Sequence, residues 1–230
     1  MDPIGEVILA AVAFVGSHLV LANAPVRAAI AGRIGEGPFL ILFSLVAAAT
    51  FAWLLIAYGT ADYVALWAPP AWSWWLPVVA MPVAFVLAIA GYTTPNPTAI
   101  RQEKAAAKAN PAPGILTVTR HPLMWAMALW AASHMPANGD AASVVLLGAI
   151  LVLAVVGMGL QDLKKRRQLG PDWARFAAAT SAVPFAAILQ GRSRLDLAGI
   201  GWWRLALGLA LFAFFLAIHP WLIGVPALKG

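Results

Sequence analysis

The chain has 230 residues, of which 62% are hydrophobic and only 10% are charged. A soluble domain carries roughly 25% charged residues, so this composition excludes the ordinary soluble class and indicates a protein that spans a lipid bilayer. The net charge of +6 follows the loops between apolar runs rather than a binding face, so we expect no nucleic-acid partner. The absence of cysteine excludes disulfides, thiolate metal ligands and covalently attached c-type haem.

Runs of about 20 apolar residues, the length that crosses a hydrocarbon core of about 30 Å, recur along the chain. They predict six transmembrane helices at residues 4–21, 38–58, 74–92, 122–135, 141–160 and 203–222. The fourth run is short unless residues 115–118 add a helical turn to it. We therefore predict an all-α, polytopic membrane helix bundle that forms a single domain over residues 1–230.

Basic residues accumulate after the first, third and fifth apolar runs, whereas the remaining loops carry mainly acidic residues such as Asp62 and Asp140. Because Lys and Arg concentrate in cytoplasmic loops, both termini should face away from the cytoplasm. The pattern predicts a multi-pass protein of a bacterial-type inner membrane with both termini in the periplasm. The first apolar run lacks a basic region before it, so we expect it to be retained as a span.

Residues 162–184, between the fifth and sixth runs, begin with a basic cluster and continue with an amphipathic pattern. One side of this pattern is apolar and consists of Leu163, Leu169, Trp173, Phe176 and Ala177. The Lys/Arg cluster on the other side is expected to face lipid headgroups. The segment therefore predicts an amphipathic interfacial helix with membrane lipid as its partner.

The chain has four histidines, and ionisable side chains inside apolar runs are rare enough to suggest function. Counted from the cytoplasmic arginines at about 1.5 Å per residue, His18 lies about 13 Å deep, His134 about 21 Å and His219 about 22 Å. Depth alone favours His134 with His219 as opposed ligands of one haem. A helix tilt of up to about 40° leaves His18 with His134 as an alternative pair of ligands. A third alternative is a purely structural role, in which each ring only forms hydrogen bonds.

Five segments, in the same order and at similar intervals, resemble the NnrU family: GSHLVLAN (16–23), TTPNPTAI (93–100), GILTVTRHPLMWAMALWAASHMPANGD (114–140), LGPDWARF (169–176) and TSAVPFAAILQGR (180–192). The resemblance implies a link to nitrogen-oxide metabolism in denitrifying bacteria. The family also includes the plastid 15-cis-zeta-carotene isomerase, a haem b membrane enzyme. The resemblance thus implies either denitrification-linked redox metabolism or a redox-dependent cis/trans isomerase, with a hydrophobic polyene substrate or a redox partner.

The same resemblance implies which histidines bind the haem b. By position, His18 and His134 correspond to the axial ligands, which also makes them the expected metal-binding residues and moves His219 to second choice. The chain differs from the isomerase one helical turn before His134, where it has Ala131 and the isomerase has a cysteine.

A more distant similarity connects Arg120-His121-Pro122, Asp162 and the following basic run to membrane methyltransferases of the isoprenylcysteine carboxyl type. It implies an alternative function, S-adenosylmethionine-dependent methyl transfer, with Arg120, His121 and Asp162 at the cofactor. A third hypothesis is a non-enzymatic partner of a respiratory complex, in which the histidines serve packing.

Overall fold

The computed structural model describes residues 2–227, and within this range the chain forms α-helices and no β-strand. The helices are α1 (Pro3–Ala22), α2 (Ala24–Ile34), α3 (Glu36–Thr60), α4 (Trp75–Thr93), α5 (Pro122–Asn138), α6 (Ala141–Leu169), α7 (Pro171–Ala179), α8 (Ala186–Leu189), α9 (Leu197–Ile200) and α10 (Trp202–Ile223). Short 3-10 turns lie at Ala71–Trp74, Glu103–Ala107 and Gly114–Thr117. The predicted all-α class is confirmed.

Five segments of the described chain are long and apolar enough to cross a membrane: Pro3–Ala22, Glu36–Thr60, Ala71–Thr93, Ala141–Leu169 and Trp202–Ile223. They correspond to five of the six predicted spans and make this a multi-pass membrane protein. The lipid favours helices here because a helix satisfies all of its interior backbone hydrogen bonds without water.

Helix α5 corresponds to the fourth predicted span and has 17 residues. Its length of about 25 Å is at the short end of what crosses a bilayer. The extension expected from residues 115–118 is not formed, because the chain makes a separate 3-10 turn there and α5 begins only at Pro122. Proline suits this first helical position because its missing N–H would have no partner inside the helix. The sixth crossing stays a prediction.

The described residues form two compact units. Unit 1 consists of residues 2–73 and 131–157, and unit 2 consists of residues 74–130 and 158–227. Helices α5 and α6 each contribute residues to both units. The single domain over residues 1–230 stays a prediction.

Unit 1 is built on the packing of α1 against α3. Val7 and Ala10 of α1 and Leu54 of α3 are fully buried. The rings of Phe14 and Phe51 lie 5.2 Å apart between centroids. These buried side chains and the two rings hold α1 against α3.

The turn between α5 and α6, also in unit 1, requires glycine at position 139. Gly139 has a φ of 73°, and a Cβ there would lie 2.4 Å from the Trp67 carbonyl oxygen. The Gly139 carbonyl accepts hydrogen bonds from the backbone N–H groups of Leu66 and Trp67 at 2.8 and 3.1 Å. Asp140 then accepts from the Ser143 N–H at 2.9 Å and caps α6.

Unit 2 has a core that joins α4 to residues 112–118 and to α7. Its buried apolar members are Ala84, Leu87, Ala90, Ala112, Ile115, Leu116, Val118, Ala126, Trp173, Phe176 and Ile200. Helix α10 packs directly on α4 at Gly208, where a Cβ would lie 2.8 Å from the Cα of Val86. The stacked rings of Phe85 and Phe215, 5.5 Å apart, extend this contact.

The amphipathic pattern after residue 162 produces α7, whose apolar face contacts protein. Trp173 and Phe176 are buried in the core of unit 2, and Leu169 and Ala177 pack against the same core. Leu163, at the start of the pattern, is instead more than half exposed. The placement of α7 at the membrane interface therefore stays a prediction, since its apolar face is already covered.

Candidate functional site

A charged network in unit 2 centres on the carboxylate of Asp162 in α6. Arg120 donates to it from Nε at 2.9 Å and from Nη2 at 2.5 Å, and His121 donates from Nε2 at 2.7 Å. Because a carboxylate oxygen only accepts, the proton of the His121 ring must sit on Nε2. Arg120 and His121 immediately precede Pro122, so the start of α5 positions both donors.

The network is largely removed from solvent. The His121 side chain is 1% exposed, that of Arg120 is 14% exposed and that of Asp162 is 20% exposed. Buried charges are tolerated when each is paired and hydrogen-bonded. The two donors and the carboxylate meet this condition through one another, in a bidentate geometry that is among the strongest in proteins.

The TTPNPT segment after α4 contacts the same network. Asn96 Nδ2 donates to the Arg120 carbonyl at 3.0 Å, and the Thr98 hydroxyl donates to the same oxygen at 3.3 Å. Gln161, next to Asp162, donates to the Thr98 carbonyl. Sequence analysis did not assign a role to Asn96, Thr98 or Gln161. The one signal for Gln161 is that it and Asp162 end the apolar run of α6.

The backbone carbonyls of Thr180 and Ser181 also belong to the network. The Arg120 N–H donates to the Ser181 carbonyl at 3.0 Å, and the Arg120 Nη1 donates to the Thr180 carbonyl at 3.3 Å. The guanidinium also lies 5.6 Å from the ring centroid of Trp173, within the range of a cation–π contact. Segments that sequence analysis singled out separately thus meet around one arginine.

A second ion pair in unit 2 buries a lysine of the basic run. Lys165 is 3% exposed and donates to Glu103 at 2.6 Å and to the Ala99 carbonyl at 3.2 Å. The expectation that the whole Lys/Arg cluster faces headgroups is therefore wrong for Lys165. Burial raises the pKa of the Glu103 carboxyl, but the hydrogen bond from Lys165 and the charges of Lys165 and Lys164 outweigh burial and hold this pKa below its usual value.

Glu103→Gln is expected to lower the free energy of unfolding at pH 7 by about 1–2 kcal/mol, less than for a fully buried pair because Glu103 is partly exposed. A depressed pKa stabilises the fold above the unfolded value, and this stabilisation disappears as pH falls through the folded value. The difference between wild type and variant should therefore be constant above the ordinary value of 4.5 and shrink below it. Denaturant titrations of the detergent-solubilised proteins at pH 7 and pH 4 measure this. An equal difference in the free energy of unfolding at the two pH values would contradict the prediction.

The histidine of α1, His18, lies in unit 1 with its ring between aromatic side chains. Its ring centroid is 4.5 Å from that of Phe14 and 5.4 Å from that of Phe43. Nδ1 lies 2.8 Å from the Phe14 carbonyl oxygen. Because a carbonyl only accepts, Nδ1 carries the proton, and the lone pair of the neutral ring is on Nε2.

His134 belongs to the same unit, near the end of α5. Ser133 Oγ lies 3.4 Å from its Nδ1, and Asn138 Nδ2 donates to the His134 carbonyl at 2.8 Å. His219 belongs to unit 2, where its Nδ1 donates to the Val225 carbonyl at 2.7 Å and fixes the chain after α10. His18 and His134 thus belong to unit 1, and His121 and His219 belong to unit 2.

A model of the NnrU protein family matches residues 6–227, nearly the whole chain. The chain belongs to the NnrU family. This NnrU-family chain is also 29% identical over 82 residues to the chloroplastic 15-cis-zeta-carotene isomerase of Arabidopsis thaliana. The match covers 36% of this chain and 22% of the length of the Arabidopsis protein. No solved structure matches the chain significantly.

The donor chemistry of His18 in this NnrU-family protein fits an axial ligand of haem iron. Such a ligand is a neutral imidazole whose second nitrogen donates to a carbonyl or carboxylate, as Nδ1 of His18 does to Phe14. Among residues 2–227 no group of three or more His, Asp or Glu side chains is arranged to bind a metal ion. Haem iron needs only one or two imidazoles, so the absence of a larger group of ligands does not test haem binding. The assignment of His18 and His134 therefore stays a prediction.

The cofactor role of Arg120, His121 and Asp162 in an NnrU-family methyltransferase also stays a prediction. Each of these side chains hydrogen-bonds another member of the set, and His121 is almost completely buried. This geometry favours a structural role, in which the network connects α6 to the start of α5. The hypothesis of a non-enzymatic respiratory partner stays a prediction as well.

Proposed function

We propose that this NnrU-family protein binds haem b within the membrane through His18 and His134 and catalyses redox-dependent cis/trans isomerisation of a long apolar polyene. The observation that carries the proposal is the hydrogen bond from His18 Nδ1 to the Phe14 carbonyl, which leaves Nε2 able to bind iron. The similarity to a protein named 15-cis-zeta-carotene isomerase supports the substrate class. The link to denitrification rests on the family resemblance and stays a prediction.

The surroundings of His18 support this assignment in two ways. The bond to Phe14 restrains rotation of the imidazole, so Nε2 keeps one direction along the helix. The rings of Phe14 and Phe43 pack against the imidazole in T-shaped contacts and restrict its movement further.

Unit 2 contains an apolar cavity that suits a hydrocarbon segment. Its volume is about 180 Å³, and its lining residues come from α4 and α5: Met81, Ala84, Phe85, Ala88, Ala126, Met127 and Trp130. Methionine and aromatic side chains adapt well to an extended apolar ligand. His18 and His134 would hold the haem, which would supply Lewis-acid chemistry to a double bond of the polyene.

The proposal is tested on the full chain purified in detergent from haem-supplied cells. The expected result is a reduced-minus-oxidised absorbance spectrum of haem b, with about one haem per chain. Reduced protein should then convert a 15-cis-zeta-carotene standard to another isomer, as resolved by chromatography, and oxidised protein should not. A purified, folded chain without a Soret band would overturn the haem assignment. A haem-loaded chain that is inactive in both redox states would overturn the isomerase.

We also propose an inner-membrane location with six crossings and both termini periplasmic. Because the chain has no cysteine, single-cysteine variants report topology without background. Asp62→Cys should react with a membrane-impermeant maleimide in intact cells, whereas Asn110→Cys and Ser193→Cys should react only after lysis. Labelling of Ser193→Cys in intact cells, with Asn110→Cys still protected, would show that α5 does not cross.

A further inference from the structure

An open cavity of about 360 Å³ lies where α4 ends and the chain leaves its apolar span. The residues that line it include Tyr92, Thr94, Gln102, Lys104 and Lys108. Among the described residues that line the cavity none is acidic, so its side-chain charge is positive. Neither the charged network around Asp162 nor the proposed haem ligands belong to this lining.

The positive charge of the cavity is not neutralised by the fold. Lys104 and Lys108 are exposed and have no ion-pair partner within residues 2–227. The acid immediately before Lys104 in sequence, Glu103, is engaged by Lys165. Arg204 is not a lining residue, but its Nε donates to the hydroxyl of Thr93, which lines the cavity, at 2.7 Å.

A buried hydroxyl in the lining also lacks a partner. Thr94 is 4% exposed, and its Oγ1 has no hydrogen-bond partner in the part of the chain that the structure describes. The neighbouring Thr93 hydroxyl, in contrast, donates to the Ile89 carbonyl at 2.7 Å. A buried polar group without a partner destabilises a protein unless a ligand or water satisfies it. Thr94 is therefore an unsatisfied donor in the wall of the cavity.

We propose that this cavity binds the phosphate group of an anionic phospholipid. Two ammonium groups and a hydroxyl are the donors that phosphate oxygens accept. The cavity lies at the end of a membrane span, and Tyr92, which is largely exposed there, is a residue type typical of the headgroup level. It also lies in a loop rich in Lys and Arg, the kind of segment that anionic lipids attract. A free phosphate shares this chemistry, so the test must separate the two sources.

The test is native mass spectrometry of the full chain with added phosphatidylglycerol, and with phosphatidylcholine as the zwitterionic comparison. One phosphatidylglycerol should be retained in preference to phosphatidylcholine. Lys104→Gln/Lys108→Gln should weaken its binding about 30-fold, because each basic residue near an anionic surface contributes a factor of about five. The matched control, Arg166→Gln/Arg167→Gln, removes the same charge from exposed positions of α6 outside the lining and should weaken binding less than about threefold.

Thr94→Val supplies a readout that a purely structural residue would not give. The variant should weaken phosphatidylglycerol binding several-fold, yet the lipid-free protein should be as stable as wild type or more stable, because an unpaired hydroxyl is removed. Equal losses in the two double variants, or unchanged binding in Lys104→Gln/Lys108→Gln, would overturn the site. Displacement of the lipid by millimolar inorganic phosphate would overturn the lipid as the source and assign the cavity to a soluble phosphate compound.

Discussion

Asp162→Asn is expected to lower the free energy of unfolding by about 3–5 kcal/mol, the effect of removing one member of a buried ion pair. The substitution keeps the shape of the side chain but removes the charge that compensates Arg120 and satisfies His121, whose side chain is 1% exposed. It also turns an acceptor into an amide whose N–H₂ group faces other donors. Unfolding of the detergent-solubilised protein, followed by fluorescence over a denaturant series, measures the effect.

The matched control is Asp172→Asn in α7, which also neutralises an aspartate paired with an arginine. Asp172 lies 3.5 Å from Arg175, but both side chains are about half exposed. An exposed pair contributes little, so this variant should lose less than about 1 kcal/mol. If Asp162→Asn is too unstable to purify, Arg120→Met/Asp162→Leu removes both charges and should recover part of the loss. Equal effects of Asp162→Asn and Asp172→Asn would contradict the buried network.

The long helices could be predicted because the lipid leaves the chain few alternatives. An apolar run as long as Glu36–Thr60 must satisfy its own backbone, and only a helix does so within one segment. The same argument loses its power at α5, whose 17 residues lie at the threshold of a crossing. Its start depends on Arg120 and His121, which are drawn into contacts with α6, and local periodicity carries no information about such contacts.

The interior contacts of unit 2 were harder to predict because they join residues far apart in the chain. In the run Lys164 to Arg167, successive side chains point about 100° apart around the helix, so composition cannot decide which of them faces inward. The choice of Lys165 depends on Glu103, which lies 62 residues earlier. Likewise Arg120 and Asp162 were singled out by resemblance as cofactor ligands, but their mutual contact spans 42 residues and could not be read from either segment.

The haem ligands stay a prediction, because the depth count and the family resemblance favour different pairs of histidines. Counting residues from the cytoplasmic arginines favoured His134 with His219. This count assumes that every helix is perpendicular to the membrane and enters it at its arginine. His219 lies in unit 2 and donates to Val225, whereas His18 and His134 share unit 1. The helical rise gives a position along an axis, but it does not give the neighbours of that helix. His18 with His134, the pair that the resemblance implies, therefore stays a proposal.

His18→Ala and His134→Ala are each expected to lower haem b affinity by at least about 100-fold, since even the loss of a residue that only orients a metal ligand costs 10- to 100-fold. The reduced-minus-oxidised spectrum of either purified variant should then lose most of its Soret amplitude at equal protein concentration. His219→Ala is the matched control, because it removes an imidazole that the resemblance does not assign to the haem. That variant should keep the wild-type spectrum.

A structural role for His18 predicts a different outcome, which His18→Gly with added imidazole can distinguish. If His18 binds iron through Nε2, free imidazole should enter the space left by the side chain and restore the bis-imidazole spectrum in a concentration-dependent way. If the ring only fills space between Phe14 and Phe43, imidazole should change stability but not the spectrum. A Soret band that is indifferent to substitution of both His18 and His134, or is lost equally in His219→Ala, would reject the assigned pair.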